Sequence, residues 1–116
     1  CLKTSRGLIA IPRIKDSTRI ERVCYDSEIL KTCEDFYTQI PLECPCNIQF
    51  KYLDRIPYLL EVNTRMSGGV QMACAASNVN IPALAVGKLL GIDMPWTNKK
   101  EEKRVTHVEV PVVLDR

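Results

Sequence analysis

The chain has 116 residues, of which 46% are hydrophobic and 26% charged, values typical of one small globular domain. Its 16 basic and 14 acidic residues give a formal net charge of +2, which is too balanced to favour binding to nucleic acid. No apolar run approaches the roughly 20 residues that cross a bilayer, so we expect no membrane partner.

A hairpin and a helix are predicted in the first 41 residues. Segments 7–14 and 18–25 are rich in β-branched residues and flank a short polar turn, which indicates two paired strands. Asp26 then provides an N-cap oxygen, and Pro41 ends a pattern of helical spacing. The face of this amphipathic helix consists of Ile29, Leu30, Cys33, Phe36, Tyr37 and Ile40.

A second hairpin and two short helices are predicted next. Segments 47–53 and 58–65 have strand patterns and are joined by a short connection. A helix of small residues is predicted over 70–77, and another helix follows the cap residue Asn80. The turn and cap residues that delimit these helices are Gly68, Gly69, Asn80, Pro82 and Gly91.

The C-terminal part is predicted as a loop and a strand. Segment 95–104 is polar and strongly charged, which indicates an exposed loop. Segment 105–114 returns to a strand pattern with an apolar face of Val108, Val110, Val112 and Leu114. The order of elements predicts an α+β fold, an antiparallel sheet with helices packed on one face.

The six cysteines, at positions 1, 24, 33, 44, 46 and 74, are expected to be reduced. Several fall within apolar patterns that suit buried thiols, so we predict a cytoplasmic protein. Cys44 and Cys46 form a tight pair, but no second pair exists and His107 is the only histidine, so zinc ligands at the usual spacing are missing. A metal or redox domain centred on these two cysteines is the alternative.

Polar side chains are expected to converge on one face of the second hairpin. In the predicted strand 58–65, alternation gives a polar face of Glu61, Asn63 and Arg65, and an apolar, core-facing side of Tyr58, Leu60 and Val62. In a hairpin centred on Arg55, Gln49 lies directly across from Glu61.

One carboxylate, two amides and one guanidinium would therefore share a patch. Hard cations such as Mg²⁺ prefer oxygen ligands, and an arginine can clamp a phosphate beside the metal. This donor set suits the terminal phosphates of a nucleotide. The alternative is a solvated polar face, which is common on antiparallel strands.

Four stretches of this region resemble the ATP-grasp superfamily. They are Glu-Val-Asn-Thr-Arg-Met-Ser-Gly-Gly at 61–69 with Asn-Ile-Gln-Phe before it at 47–50, then Ser-Asn-Val-Asn-Ile-Pro at 77–82, and Leu-Leu-Gly at 89–91. The likeness is greatest to the large subunit of carbamoyl-phosphate synthase and its single-domain relatives. It is specific over 47–91, loose over 7–46 and absent over 92–116.

The resemblance implies roles for four residues. Glu61 would bridge two Mg²⁺ (or Mn²⁺) ions on the ATP phosphates, with Gln49 ligating one ion and Asn63 the other. Arg65 would contact phosphate and stabilise the transferring phosphoryl group, which would make it the catalytic residue. Relatives often have an acidic residue where Gln49 stands, but glutamine agrees with the carbamoyl-phosphate synthase branch.

Other candidates carry less specific signals. Arg13 and Arg19 flank the first hairpin and are candidates for substrate contact, with a solvated arginine as the alternative for each. Ser67, Gly68 and Gly69 form a small-residue turn that could let backbone approach a ligand.

The resemblance implies an ATP-dependent ligase that activates a small-molecule carboxylate as an acyl phosphate for attack by an amine or another nucleophile. The lysines, phosphate loop and adenine hinge of the family's first subdomain have no counterpart in this sequence, and no initiator Met is present. We therefore expect 1–116 to be a single-domain fragment that needs the N-terminal subdomains of its own protein and is inactive alone. A non-catalytic binding or regulatory module is the alternative, and exposed faces could allow a homodimer.

Overall fold

Two groups of strands, each followed by one or two helices, and a last strand make up the computed structural model, which describes residues 1–17, 20–108 and 110–113. Arg19 and Leu114 lie outside the described residues. The strands are β1 (Leu2–Thr4), β2 (Gly7–Ile9), β3 (Arg13–Lys15), β4 (Ile20–Val23), β5 (Asn47–Leu53), β6 (Ile56–Asn63) and β7 (Lys103–Thr106). The helices are α1 (Ser27–Gln39), α2 (Val70–Ser77) and α3 (Ile81–Leu89).

The strands pair in antiparallel fashion and form three small sheets within the described ranges. β1 pairs with β2, β4 lies between β3 and β7, and β5 pairs with β6. The predicted α+β class with antiparallel strands is confirmed. The difference from the prediction is that the strands are divided among three sheets and do not form one continuous sheet.

The strand predicted over 7–14 is interrupted. β2 ends at Ile9 and pairs with β1, whereas β3 begins at Arg13 and pairs with β4. Pro12 lies between them and has no N–H group to donate to a sheet, which explains the break. Its carbonyl oxygen instead accepts a hydrogen bond from the Cys24 N–H at 3.2 Å.

The helices and their caps agree with the prediction. Asp26 caps α1, since its Oδ1 accepts hydrogen bonds from two N–H groups of the first turn, at 2.9 and 3.1 Å. Asn80 caps α3 by accepting from the Ala83 N–H at 3.0 Å. Gly91 follows α3 with a φ of +70°, a conformation that favours glycine. None of the helices in the described ranges is long and apolar enough to span a membrane.

The main core lies between the β1–β2 hairpin and α3. Its buried members are Leu2, Ile9, Val79, Ile81, Leu84 and Ala85. Met66 and Val70 pack against this cluster from the segment that joins β6 to α2. The core therefore anchors the chain immediately after the predicted ligand strand.

The predicted loop 95–104 is partly tied to this core. Trp96 packs against the cluster, and its Nε1 donates to Thr4 Oγ1 at 3.2 Å. The hydroxyl of Tyr25 donates to Asn98 Oδ1 at 2.9 Å. The loop prediction also extends too far, because β7 begins at Lys103.

The strand predicted over 105–114 is wrong for the described residues that follow Thr106. β7 ends at Thr106, which is paired with Ile20 at the start of β4. The described valines that follow have no regular structure and are exposed. They are Val108, Val110, Val112 and Val113.

A second buried group lies under α1. Cys33 and Tyr37 face inward from the helix, and the Tyr37 hydroxyl lies 2.8 Å from Cys46 Sγ. Burial raises the pKa of the Cys33 thiol to about 11 and also raises the pKa of Tyr37. All six cysteines are free thiols in the structure.

Stability is expected to fall by about 2 kcal/mol as the pH rises from about 9 to about 11. In this window the unfolded Cys33 thiol loses its proton, whereas the folded thiol, with a pKa of about 11, keeps it. The unfolded chain then binds fewer protons, so raising the pH favours unfolding. Urea unfolding followed by circular dichroism at several pH values measures the slope. A Cys33→Val variant should reduce the slope, leaving the part due to Tyr37, whose pKa is also raised, and an equally steep fall in that variant would contradict the assignment.

Candidate metal and phosphate site

The second hairpin has the register predicted at the ligand positions. Gln49 on β5 lies directly across from Glu61 on β6, and Asn47 lies across from Asn63. Asp54 and Arg55 form the turn with φ values of 49° and 66°, as a two-residue hairpin loop with two positive φ angles requires. This turn alone would pair Gln49 with Leu60, so one extra residue on β6 is needed to bring Glu61 opposite Gln49.

The three predicted metal ligands contact one another. Glu61 Oε1 accepts a hydrogen bond from Asn63 Nδ2 at 2.8 Å and another from Gln49 Nε2. Gln49 and Glu61 are exposed, and Asn63 is half-buried. We call this group the Glu61 cluster; it consists of Gln49, Glu61 and Asn63, and it is open to solvent on the hairpin face.

A bulge next to the cluster changes the faces of β6. Gln49 pairs with Glu61, but the next residue, Phe50, pairs with Leu59, so Leu60 is an extra residue on β6. Beyond it the alternation is reversed, and Tyr58 lies across from Lys51 on the same face as Glu61.

The prediction that Tyr58, Leu60 and Val62 face the core is therefore wrong for the two residues nearer the hairpin tip. Tyr58 is 50% exposed and Leu60 is 61% exposed, although both were expected to face the core. Val62, on the inner side of the bulge, is half-buried. The extra residue and the position of the hairpin tip away from the core explain the difference.

Arg65 does not join the Glu61 cluster in the structure. β6 ends at Asn63, and the Arg65 N–H donates to the Asn63 carbonyl oxygen at 2.8 Å, which turns the chain out of the strand. The exposed guanidinium donates to the Met66 carbonyl oxygen at 3.2 Å. The predicted strand, which put Arg65 on the polar face, thus extends two residues beyond the end of β6.

Sequence reasoning missed Asn47. It lies on the same face as Gln49 and across from Asn63, and it is half-buried. It also lines a small cavity of about 50 Å³ together with Arg13 and Ser67. Extending the predicted hairpin register by two residues would have found it.

Arg13 lies on the far side of that cavity. Its guanidinium forms an ion pair with Glu21, through Nη1, and its Nη2 donates to Ser67 Oγ at 2.9 Å. The substrate contact predicted for Arg13 stays a prediction, since its hydrogen-bonding groups are engaged within the protein. The same prediction for Arg19 concerns a residue outside the described ranges.

The comparison with protein families gives one match. A family model described as ATP-grasp in the biosynthetic pathway with Ter operon matches residues 1–111. The chain belongs to the ATP-grasp family. No significant match was found among curated proteins or among solved structures.

The ATP-grasp match reaches well beyond the segment that carried the resemblance. It includes 7–46, where the likeness was loose, and most of 92–116, where none was recognised. As an ATP-grasp module, the chain is of the kind found in ATP-dependent ligases, and proteins of this family generally bind ATP and Mg²⁺.

The donors of the Glu61 cluster suit such an ion. No group of three or more His, Cys, Asp or Glu side chains that could hold a metal occurs in the described part of the chain. The Glu61 cluster differs from such groups because it combines one carboxylate with two amides. Both amides now point nitrogen toward Glu61, and a half-turn of each amide would present its oxygen on the same side. One carboxylate with amide oxygens and water is a set that Mg²⁺ accepts.

Proposed function

We propose that this ATP-grasp module is the metal- and phosphate-binding part of an ATP-dependent ligase of the carbamoyl-phosphate synthase type. The observation that supports the proposal is the convergence of two amides on the Glu61 carboxylate, on one hairpin face of an ATP-grasp chain. The cluster is exposed, as a site that receives a nucleotide from a companion subdomain must be. The substrates proposed are ATP and a small-molecule carboxylate.

Each residue of the cluster has a distinct part in this proposal. Glu61 supplies the negative charge that attracts the cation, and Gln49 and Asn63 supply amide oxygens after rotating away from their present bonds. When bound, Mg²⁺ (or Mn²⁺) would neutralise phosphate charge while the γ-phosphoryl group of ATP is transferred to the substrate carboxylate, giving an acyl phosphate and ADP. Arg65, exposed at the end of β6, is free to swing its guanidinium from the Met66 carbonyl to a phosphate.

Replacing Gln49 with leucine should weaken binding of the Mn²⁺–nucleotide complex roughly 10- to 100-fold, because one oxygen ligand is lost. The measurement is the free Mn²⁺ signal in electron paramagnetic resonance, titrated with a non-hydrolysable ATP analogue, on the protein that carries this module. Gln71→Leu is the matched control, since Gln71 is exposed on α2 and outside the cluster.

Equal affinity in the Gln49→Leu variant and the parent protein would count against the metal assignment. Tight binding without any phosphate release in the presence of candidate carboxylates would instead favour the non-catalytic module. The two readouts therefore separate the ligase from its alternative.

A further inference from the structure

The guanidinium of Arg13 joins three separate segments of the chain. Arg13 is the first residue of β3, and Glu21, its ion-pair partner, lies on β4 diagonally across the sheet. The same guanidinium reaches Ser67, in the connection between β6 and α2. The Arg13 and Glu21 side chains are only 17% and 19% exposed, so this pair is not an ordinary surface arginine with a solvated partner.

Gly69 leaves the space that the guanidinium occupies. A Cβ at Gly69 would overlap Arg13, with the Cζ atom at 2.6 Å and Nη2 at 2.8 Å. The backbone of Gly69, with φ −92° and ψ 14°, does not itself require glycine. The close approach of Arg13 is therefore the physical reason for a glycine at this position.

Gly68 provides the opposite case. A Cβ at Gly68 would have no heavy atom of the described residues within 4 Å. The small-residue turn thus contains one glycine whose Cβ would displace the Arg13 guanidinium and a neighbour that has open space.

The connection held by Arg13 begins at the Glu61 cluster. Asn63 ends β6, and Met66, Ser67 and Val70 follow within seven residues. Met66 and Val70 pack on the main core, and the Val70 N–H donates to the Ser67 carbonyl oxygen at 3.1 Å. Ser67 is thus bonded through its side chain to Arg13 and through its backbone to the start of α2.

We propose that Arg13, held by Glu21, is a positioning residue that fixes the β6–α2 connection through Ser67 and Gly69 and thereby keeps Asn63 and Arg65 in place for the metal and phosphate. This inference rests on the proposed function for its effect on the ligand, but not for its effect on the connection. Without the guanidinium, Ser67 loses its partner on β3, and the segment that carries Asn63 and Arg65 keeps only the β5–β6 pairing and the core contacts of Met66 and Val70.

The test uses Gly69→Ala, Ser67→Ala and Arg13→Ala in the protein that carries this module. Each variant should weaken Mn²⁺–nucleotide binding about tenfold. Removing a residue that supports metal ligands typically has an effect of this size. Gly68→Ala is the matched control and should stay within about twofold of the parent protein, because its methyl group has open space.

The decisive comparison is Gly69→Ala added to Arg13→Ala. If the new methyl group acts by displacing the guanidinium, it should cause no further loss of nucleotide affinity once the guanidinium is absent. A full additional tenfold loss in the double variant would overturn the proposal, because Gly69 would then act independently of Arg13. If Arg13→Ala does not fold, Ser67→Ala decides, since it leaves the Arg13–Glu21 ion pair in place.

A second readout is independent of nucleotide binding. The side-chain amide resonances of Asn63 in nuclear magnetic resonance should shift or broaden in Arg13→Ala and Gly69→Ala but not in Gly68→Ala. If the parent protein binds no Mn²⁺–nucleotide, the proposed function fails, and these resonances alone decide on the role of Arg13. Unchanged Asn63 resonances in Arg13→Ala would overturn it.

Discussion

Replacing Glu61 with glutamine is expected to lower ATP-dependent turnover of the complete enzyme by at least about 100-fold. Glu61 provides the only carboxylate of its cluster, and both amides converge on its Oε1. Glutamine keeps the shape of the side chain but removes the charge that a divalent cation requires. Since Glu61 is exposed, its loss should leave the thermal unfolding midpoint almost unchanged.

The measurement for Glu61→Gln is phosphate release together with a thermal melt. Asp54→Asn is the matched control, because Asp54 is a carboxylate of the same hairpin at the turn, where its φ of 49° suits asparagine. Asp54→Asn should retain parent turnover. Near-normal turnover in Glu61→Gln would remove the basis of the ligase assignment for this site.

Replacing Leu84 with alanine should lower the free energy of unfolding by about 2–5 kcal/mol, the usual range for a buried leucine. Leu84 is 6% exposed and belongs to the main core, whereas Leu89 on the same helix is 87% exposed. Leu89→Ala is therefore a control with the same chemical change and should alter stability by no more than about 0.5 kcal/mol. Urea unfolding measures both, and equal losses would contradict the description of α3 as a helix with one buried face.

Features with a local signal could be predicted from the sequence. The caps Asp26 and Asn80 accept hydrogen bonds from N–H groups two or three residues away, so the helix starts were predictable from neighbouring residues. The pairing of Gln49 with Glu61 was also predicted, from a hairpin centred on Arg55, although in the structure the turn lies at Asp54 and Arg55 and the extra residue Leu60 restores that pairing. The greater part of the candidate site is therefore determined by residues that lie close together in the sequence.

Features that depend on distant partners could not be predicted. β1 forms because β2 lies beside it, and the three-residue segment Leu2–Thr4 has no strand pattern long enough to recognise. β7 ends at Thr106, across from Ile20 of β4, and the valine pattern of 105–114 does not reveal this end. The reversal at Leu60 and the turn at Arg65 are departures of one or two residues from regular alternation, and composition carries no sign of them.

The extra residue at Leu60 also affects how this hairpin can vary over evolution. It separates a base, where Gln49 and Glu61 are paired, from a tip that runs from Phe50 to Leu59. Because this bulge sets Glu61 opposite Gln49, the tip can gain or lose residues in pairs, one on each strand, without changing the pairing at the base. Homologous sequences should accordingly vary in length within 50–60 while the spacing inside 61–69 stays constant.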